Sequence, residues 1–303
     1  MAGTRTVVEI DGRTLKLSNL DKVLYPESGF TKGEVIDYYT RIAPTMLPHV
    51  GDRGVTLRRY PDGVDAGSFF EKRCASHRPD WVPVALGPGD RGGPIEYCRL
   101  DSRAALVWSA NMAALEVHAP MARADDIETP TMVVFDLDPG APADIHDCCE
   151  VAVWIREVLD SFGLEVWPKT SGSKGLQLYL PVNAEGLTHE HASSFAQAVA
   201  QALERHHEDR VTSTMKKEVR PGKIFIDWSQ NSRHKTTVAP YSLRARARPT
   251  VSTPVSWDEV EACAAGDAEL VFEAAAVLAR VDELGDLFAD TLATVQHLPA
   301  ARA

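Results

Sequence analysis

Thr131-Met132-Val133-Val134-Phe135-Asp136-Leu137-Asp138-Pro139-Gly140 is an apolar run interrupted by two carboxylates two residues apart. Side chains alternate along a β-strand, so Asp136 and Asp138 share one face while Phe135 and Leu137 take the other. Pro139-Gly140 stops the strand and leaves the pair at its C-terminal end. Two like charges that close repel unless a cation lies between them, so the motif predicts a divalent-ion site. Taken alone, the Asp-x-Asp pattern is also common in surface turns.

Working outward, the pattern becomes strand, helix, strand. A helix near 146–161 carries Val151, Trp154, Ile155, Val158 and Leu159 on one face. Glu165 to Lys169 and Leu176 to Pro181 read as strands, and a second helix near 189–207 carries Phe195, Val199, Ala202 and Leu203. Lys223-Ile224-Phe225-Ile226-Asp227-Trp228 is a further strand, ending in a third carboxylate. Three carboxylates on two strand ends suit two-metal phosphoryl transfer with Mg²⁺ or Mn²⁺. Between the strands lies Lys169-Thr170-Ser171-Gly172-Ser173-Lys174-Gly175. Its small residues open backbone N–H groups to an anion, although the Walker spacing is absent and a plain polar turn is the competing reading.

Upstream, Val7 to Ile10 and Leu15 to Leu17 read as a hairpin around Asp11-Gly12. Thr31 and Glu34 have capping-box spacing and open a helix with Val35, Ile36, Tyr39, Ile42 and Ala43 on one side. Gly54 to Arg59 reads as a strand, Leu86 to Pro94 as a Gly/Pro-rich surface loop, and Asp101 to His118 as a helix with a short strand. Phe69-Phe70 precedes Glu71-Lys72-Arg73; the pair reads as core, with a base-stacking platform as the alternative. His118 ends an apolar segment, where a structural role is the simpler reading. A second capping box, Ser256 to Glu259, opens an acidic, helical C-terminal stretch.

Composition bounds the class. The chain has 303 residues, 44% hydrophobic and 25% charged, as expected of a globular protein. No apolar run has the length of a membrane span, and Met1 to Asp11 lacks the hydrophobic centre of a secretory signal, so a cytoplasmic location is expected. The five cysteines show no zinc-type spacing and are expected to be reduced thiols. Net charge is −11, yet residues 211–250 hold nine Lys/Arg against two acids. Gln230, Arg233, His234, Lys235, Arg244, Arg246 and Arg248 crowd this basic stretch, a candidate phosphate-binding region.

Leu-Ser-Asn-Leu-Asp-Lys-Val-Leu-Tyr-Pro at 17–26, Phe30 to Tyr39, Arg58 to Val64, Ser68 to Arg73 and Leu106 to Pro120 form one series of motifs. Val133 to Gly140, Lys169 to Pro181, Arg220 to Asn231 and Thr236 to Arg246 continue it. On these motifs, nearly the whole chain resembles the polymerase domain of bacterial LigD and its stand-alone relatives. These are primase-polymerases of the archaeo-eukaryotic primase superfamily, and the sequence is similar to the free-standing mycobacterial members.

The resemblance implies an α/β (α+β) primase-polymerase fold with an RRM-like catalytic sheet and an N-terminal α/β module. It implies one domain over 1–303: a module at 1–125, a catalytic part at 126–250 and a helical acidic tail at 251–303. It casts Asp136, Asp138 and Asp227 as catalytic metal ligands for two Mn²⁺ or Mg²⁺ ions. Asp136 and Asp138 are expected to bind both ions, and Asp227 the one that activates the 3′-hydroxyl. Arg58, Phe69, Phe70, His118, Ser171, Lys174, Gln230 and Arg244 become nucleotide-binding residues, which sets aside the core reading of the phenylalanines. Asn19, Lys22 and Lys32 match a pocket for a downstream 5′-phosphate, and Arg220 a DNA-binding loop.

Two departures stand out: the family often has Lys-Arg where this chain has Arg58-Arg59, and the 86–94 loop is short, which favours gap filling over end joining. The implied function is template-directed repair synthesis, with ribonucleotides preferred, on gapped or broken DNA. An ATP-dependent ligase and a Ku-type end-binding protein are the expected partners, near the bacterial nucleoid and away from membranes. A primer-synthesising primase, a metal-dependent phosphodiesterase or nuclease, and a non-catalytic DNA-end adaptor are the alternatives.

Overall fold

The computed structural model describes residues 5–89 and 93–299. The chain forms two compact units. Met1–Pro120, Thr236–Ser252 and Phe272–Gly285 make the first; Met121–Lys235, Thr253–Val271 and Asp286–Ala303 make the second. The segment after 250 is therefore shared between the units rather than forming one tail.

In the first unit, strands β1 (Arg5–Ile10) and β2 (Arg13–Ser18) pair Ile10 with Arg13 across the expected two-residue turn. The short β3 (Val23–Tyr25) and β4 (Phe30–Thr31) follow. Helix α1 (Lys32–Val50) starts at the expected capping box: Thr31 Oγ1 accepts from Glu34 N, and Glu34 accepts from Thr31 N. Its buried stripe, Val35, Ile36, Tyr39, Ile42, Ala43 and Met46, faces the core. Strands β5 (Thr56–Arg59), β6 (Phe69–Glu71), β7 (Val84–Gly87) and β8 (Ile95–Cys98), helix α2 (Arg103–Asn111) and strand β9 (Ala114–Ala119) complete the N-terminal run. Strands β7 and β8 form an antiparallel hairpin, so part of the expected 86–94 loop is strand; residues 90–92 lie outside the described residues.

The second unit opens with β10 (Met132–Pro139), α3 (Ile145–Asp160), β11 (Trp167–Thr170), β12 (Leu176–Pro181) and α4 (His189–His206). Strands β13 (Val211–Thr212) and β14 (Ile224–Asp227) follow. The sheet order is β11-β12-β10-β14-β13, with only the β13–β14 pair parallel among them. Without the edge strand β13, this is a βαββαβ unit with its first and third strands side by side in the centre, the RRM-like arrangement. Both faces are largely dry: Val133, Val134, Phe135, Leu137, Leu178 and Leu180 are fully buried. Polar side chains that survive in such a sheet are there at a cost and mark function.

The chain then supplies β15 (Thr237–Val238) to the first unit, giving a second sheet ordered β15-β9-β5-β6, all antiparallel. Buried tyrosines tie this return segment in place: Tyr38 donates to Tyr241 O (2.8 Å) and Tyr25 to Arg244 O (3.0 Å). Helix α5 (Trp257–Ala264) starts at the expected Ser256–Glu259 capping box and belongs to the second unit; α6 (Ala274–Leu284) belongs to the first. Among the described residues, no helix is long and apolar enough to cross a membrane.

One expectation fails. Cys74 and Cys98 form a disulfide, while Cys148, Cys149 and Cys263 are free and buried. The backbone explains it. Cys74 N donates to Glu96 O (2.7 Å), which draws the segment after β6 alongside β8 and leaves the two Cα atoms 4.7 Å apart. That tertiary pairing has no signature in cysteine spacing. With the cysteines 24 positions apart in sequence, loop-closure entropy puts the bond's contribution at about 3 kcal/mol. A reductant is expected to lower Tm of the wild-type protein, and to leave a Cys74→Ser variant unchanged, in a thermal melt.

Candidate active site

The carboxylates come together through strand register. Asp136 on β10 is the direct cross-strand partner of Asp227 on β14 and of Gln177 on β12, and Gln177 in turn faces Lys169 on β11. Lys169, Gln177, Asp136 and Asp227 thus form one row across four strands, with Asp138 two residues along β10 on the same face. Lys169 Nζ donates to Gln177 Oε1 (2.5 Å), and Gln177 Nε2 donates to Asp136 Oδ1 (2.9 Å). Burial, and then the charge of Asp138 with a smaller push from Asp227, raises the Asp136 carboxyl above the usual carboxylate range; the Gln177 bond and Lys169 oppose this. Negative charge is therefore concentrated here beyond what the neighbouring protein cation offsets, and the oxygen donors suit a hard divalent cation.

Asp227 is engaged locally: Oδ1 accepts from Ser229 N (3.0 Å) and Ser229 Oγ (2.6 Å), and Oδ2 from Gln230 Nε2 (2.9 Å). Among the described residues, no three His, Cys, Asp or Glu side chains already converge as a ligand cluster. The charge pattern fits an ion, and the Asp227 carboxylate is held by Ser229 and Gln230.

The Ser171–Gly175 turn joins β11 to β12. Ser171 N donates to Gly175 O (2.9 Å), and Ser171 Oγ accepts from Ser173 N (3.2 Å) and Gly175 N (3.1 Å). The turn lies against the end of β10, because a Cβ on Gly175 would stand 2.0 Å from Leu137 O. This places Ser171 and the exposed Lys174 near the aspartate row. Gly140 is held as closely against Arg220 O, which fixes the Arg220 loop at the end of the Asp-x-Asp strand. Arg220 packs over Phe225 at 3.7 Å and donates to Met215 O (2.9 Å).

A second cluster forms within the first unit. Phe70 on β6, Arg58 on β5 and Glu116 on β9 are successive cross-strand partners, and His118 stands two residues beyond Glu116 on the same face. Arg58 lies 5.1 Å from the Phe70 ring and 5.2 Å from Tyr60, and donates to Ser68 Oγ (3.3 Å). The Phe70 ring meets His118 edge-on at 5.5 Å. Arg244 Nε lies 3.4 Å from Glu116 Oε1. Phe69 is not part of this group: it turns to the opposite face, under Arg59 at 5.2 Å, where Arg59 also pairs with Glu71 at 3.0 Å. Both phenylalanines are exposed, at 45% and 55%, which overturns the core reading.

Asn19, Lys22 and Lys32 are neighbours at the start of the chain. Lys22 N donates to Asn19 O (3.0 Å), and Lys32 N to Lys22 O (2.8 Å). Lys22 Nζ pairs with Asp62 (2.7 Å), and the buried Lys32 Nζ donates to Ser18 O (2.6 Å). Burial, then the charges of Lys22 and Arg59, lower the Lys32 amine to about 8.

Sequence reading missed Lys169, Gln177 and Glu116. Gln177 had a visible signal, a lone amide in Leu176 to Pro181. Glu116 had one too, a carboxylate two residues before His118 in a strand whose other side chains are apolar.

The family model described as the LigD primase-polymerase domain matches residues 31–288. The chain belongs to the LigD primase-polymerase domain family. The chain is 46% identical over 278 residues to the multifunctional non-homologous end joining protein LigD of Mycolicibacterium smegmatis, covering 91% of this chain and 36% of the relative. The bifunctional LigD of Bacillus subtilis is 32% identical over 247 residues, 82% of this chain and 39% of the relative. The chain thus spans little more than a third of these curated LigD proteins. A solved polymerase domain of Mycobacterium tuberculosis Ligase D, in complex with DNA, superposes with TM-score 0.86 at 42% identity, covering 93% of this chain and 99% of that one. The RRM-like sheet and the α/β class expected from sequence are those of the LigD polymerase domain.

Proposed function

We propose that this chain is a nucleotidyltransferase that adds nucleotides to a primer 3′-end under the direction of a template. Its proposed substrates are short gaps or breaks with a downstream 5′-phosphate, and ribonucleotides are the preferred donors. One observation carries the reading: Asp136 and Asp227 are cross-strand partners in the RRM-like sheet, with Asp138 on the same face. Membership in the LigD primase-polymerase family supports it, and favours neither hydrolysis nor priming.

Asp136, Asp138 and Asp227 are the residues that would hold two Mg²⁺ or Mn²⁺ ions, whose chemistry is activation of a 3′-hydroxyl and neutralisation of a triphosphate. The Lys169–Gln177 pair orients Asp136 and keeps a proton donor on its Oδ1. Arg58, His118, Ser171, Lys174, Gln230 and Arg244 are the proposed nucleotide contacts. Phe70 offers a ring for the base. Phe69, on the other face of β6, fits the templating strand. Arg220 is the proposed DNA contact, and an ATP-dependent ligase and a Ku-type protein are the proposed partners at the nucleoid.

The test is nucleotide addition on gapped duplexes with and without the 5′-phosphate, comparing NTP with dNTP. Faster addition of NTP on the phosphorylated gap supports the reading. A dinucleotide made on an unprimed template, or loss of a labelled end with nothing added, overturns it.

Lys32 gives this test a pH dependence. Its amine is charged below about 8 and neutral above. Preference for the 5′-phosphate is therefore expected to weaken as pH rises from 7 to 9, with the midpoint moved up by the bound phosphate. Lys32→Ala should flatten that profile and reduce the preference about tenfold, or about 1.4 kcal/mol. An unchanged preference in Lys32→Ala would exclude this pocket.

A further inference from the structure

Glu116 lies beneath the cationic cluster, 1% exposed, and is the common partner of Arg58, His118 and Arg244, three of the side chains assigned above to the nucleotide. Its Oε2 is 2.9 Å from His118 Nε2 and 3.8 Å from the Arg58 guanidinium. Its Oε1 accepts from Ala245 N (3.1 Å) and Tyr60 OH (3.4 Å), and lies 3.4 Å from Arg244 Nε. Register explains the convergence. Arg58 is the cross-strand partner of Glu116, His118 follows it by two residues, and the chain after β15 brings Ala245 and Arg244 to its other oxygen.

A buried carboxylate survives only when paired. Burial alone would push the Glu116 carboxyl up, but the His118 hydrogen bond, the Arg244 charge and the Ala245 N–H bring it down to about 2, so it is ionised throughout the working range. His118 is pulled both ways. Burial and the charges of Arg244 and Arg58 lower its pKa, while Glu116 raises it. The remaining groups near Glu116 are Arg246, which is cationic, and the neutral phenols of Tyr25 and Tyr39.

We propose that Glu116 is a positioning residue for the incoming triphosphate, holding His118 through Nε2 and supplying the counter-charge that lets the ring take a second proton on Nδ1 when a polyanion arrives. The same carboxylate keeps Arg58 and Arg244 beside that ring. The inference rests on the nucleotide-binding reading given above. Its chemistry is a proton uptake: an anion that neutralises Arg58 and Arg244 removes their opposition, its own charge offsets the burial that keeps the ring neutral, and with Glu116 on the other side the imidazole becomes a cation. The proton comes from solvent and ends on Nδ1, the ring nitrogen that Glu116 does not hold.

The test uses the full chain with GTP as the probe. Calorimetry in two buffers of different ionisation enthalpy reads the protons taken up on binding, and imidazole ¹⁵N NMR reads the His118 titration. For wild type, net proton uptake near pH 7 is expected, with the His118 midpoint rising when GTP binds. Glu116→Gln keeps the shape and removes the charge. It should lower the His118 midpoint by a unit or more, abolish the uptake, and raise KM for GTP tenfold or more with kcat within threefold. Glu116→Asp, which keeps the charge, should recover part of the midpoint and of KM; it also serves if the glutamine variant does not fold. Wild-type binding with no proton uptake, or a His118 titration unchanged in the variants, overturns the inference while leaving the polymerase reading intact. A wild-type protein that neither binds GTP nor extends a primer overturns that reading instead.

Discussion

Asp136→Asn is expected to reduce nucleotide addition about a thousandfold or more, while duplex DNA binding persists. Asparagine keeps an oxygen for Gln177 Nε2, so the bond to β12 is retained in kind and the change is one of charge. Burial and two neighbouring carboxylates already oppose ionisation at this position. Removing the charge therefore relieves repulsion in the metal-free protein, and Tm should rise rather than fall. Adding Mn²⁺ should reverse the order. At a hundredfold excess over Kd, the ion is expected to stabilise wild type by about 2.7 kcal/mol and the variant by much less. The two readouts separate a site residue from a structural one, since damage to the sheet would lower activity and Tm together. Nucleotide addition by Asp136→Asn at a tenth of the wild-type rate would remove Asp136 from the catalytic group.

The second large effect comes from a residue with no side chain. Gly175→Ala places a Cβ 2.0 Å from Leu137 O, a backbone atom in the central strand that cannot step aside. Either the turn lifts away or β10 shifts. The expected loss is about 3 kcal/mol or more, seen as a fall in Tm of roughly 6 °C or more. Activity should fall further than stability alone requires, because the same turn carries Ser171 and Lys174. Gly67→Ala, where nothing lies within 4 Å, is the matched control and should change stability by less than about 0.5 kcal/mol. Equal melting temperatures for the two variants would contradict the close approach.

Much of this was legible in the chain because the signals are local. Alternation in Val133 to Asp138 set both aspartates on one face, as β10 shows. The spacing of Thr31–Glu34 and Ser256–Glu259 marked two helix starts that carry those capping boxes. What was hidden is mostly non-local. That Asp227 stands opposite Asp136, not merely at some strand end, depends on sheet order and register, which no single strand encodes. The Cys74–Cys98 bond needs two backbone segments to meet. The short strands β3, β4, β13 and β15 have too few residues to show a period; β13 and β15 exist because the longer β14 and β9 offer them partners, and β3 and β4 pair with each other. Phe69 and Phe70 are a different case. The alternation used for the aspartates also separates adjacent rings, and sequence reading treated them as a pair.

The four-strand row from Lys169 to Asp227 has an evolutionary corollary. Inserting or deleting one codon within β10, β12 or β14 would invert every side chain beyond it, exchanging Asp227 for Ile226 or Gln177 for Leu176 opposite Asp136. Length variation among homologues should therefore be purged from these segments. It should gather instead in connections such as the one between β7 and β8, where a change in length leaves the phase of the sheet untouched.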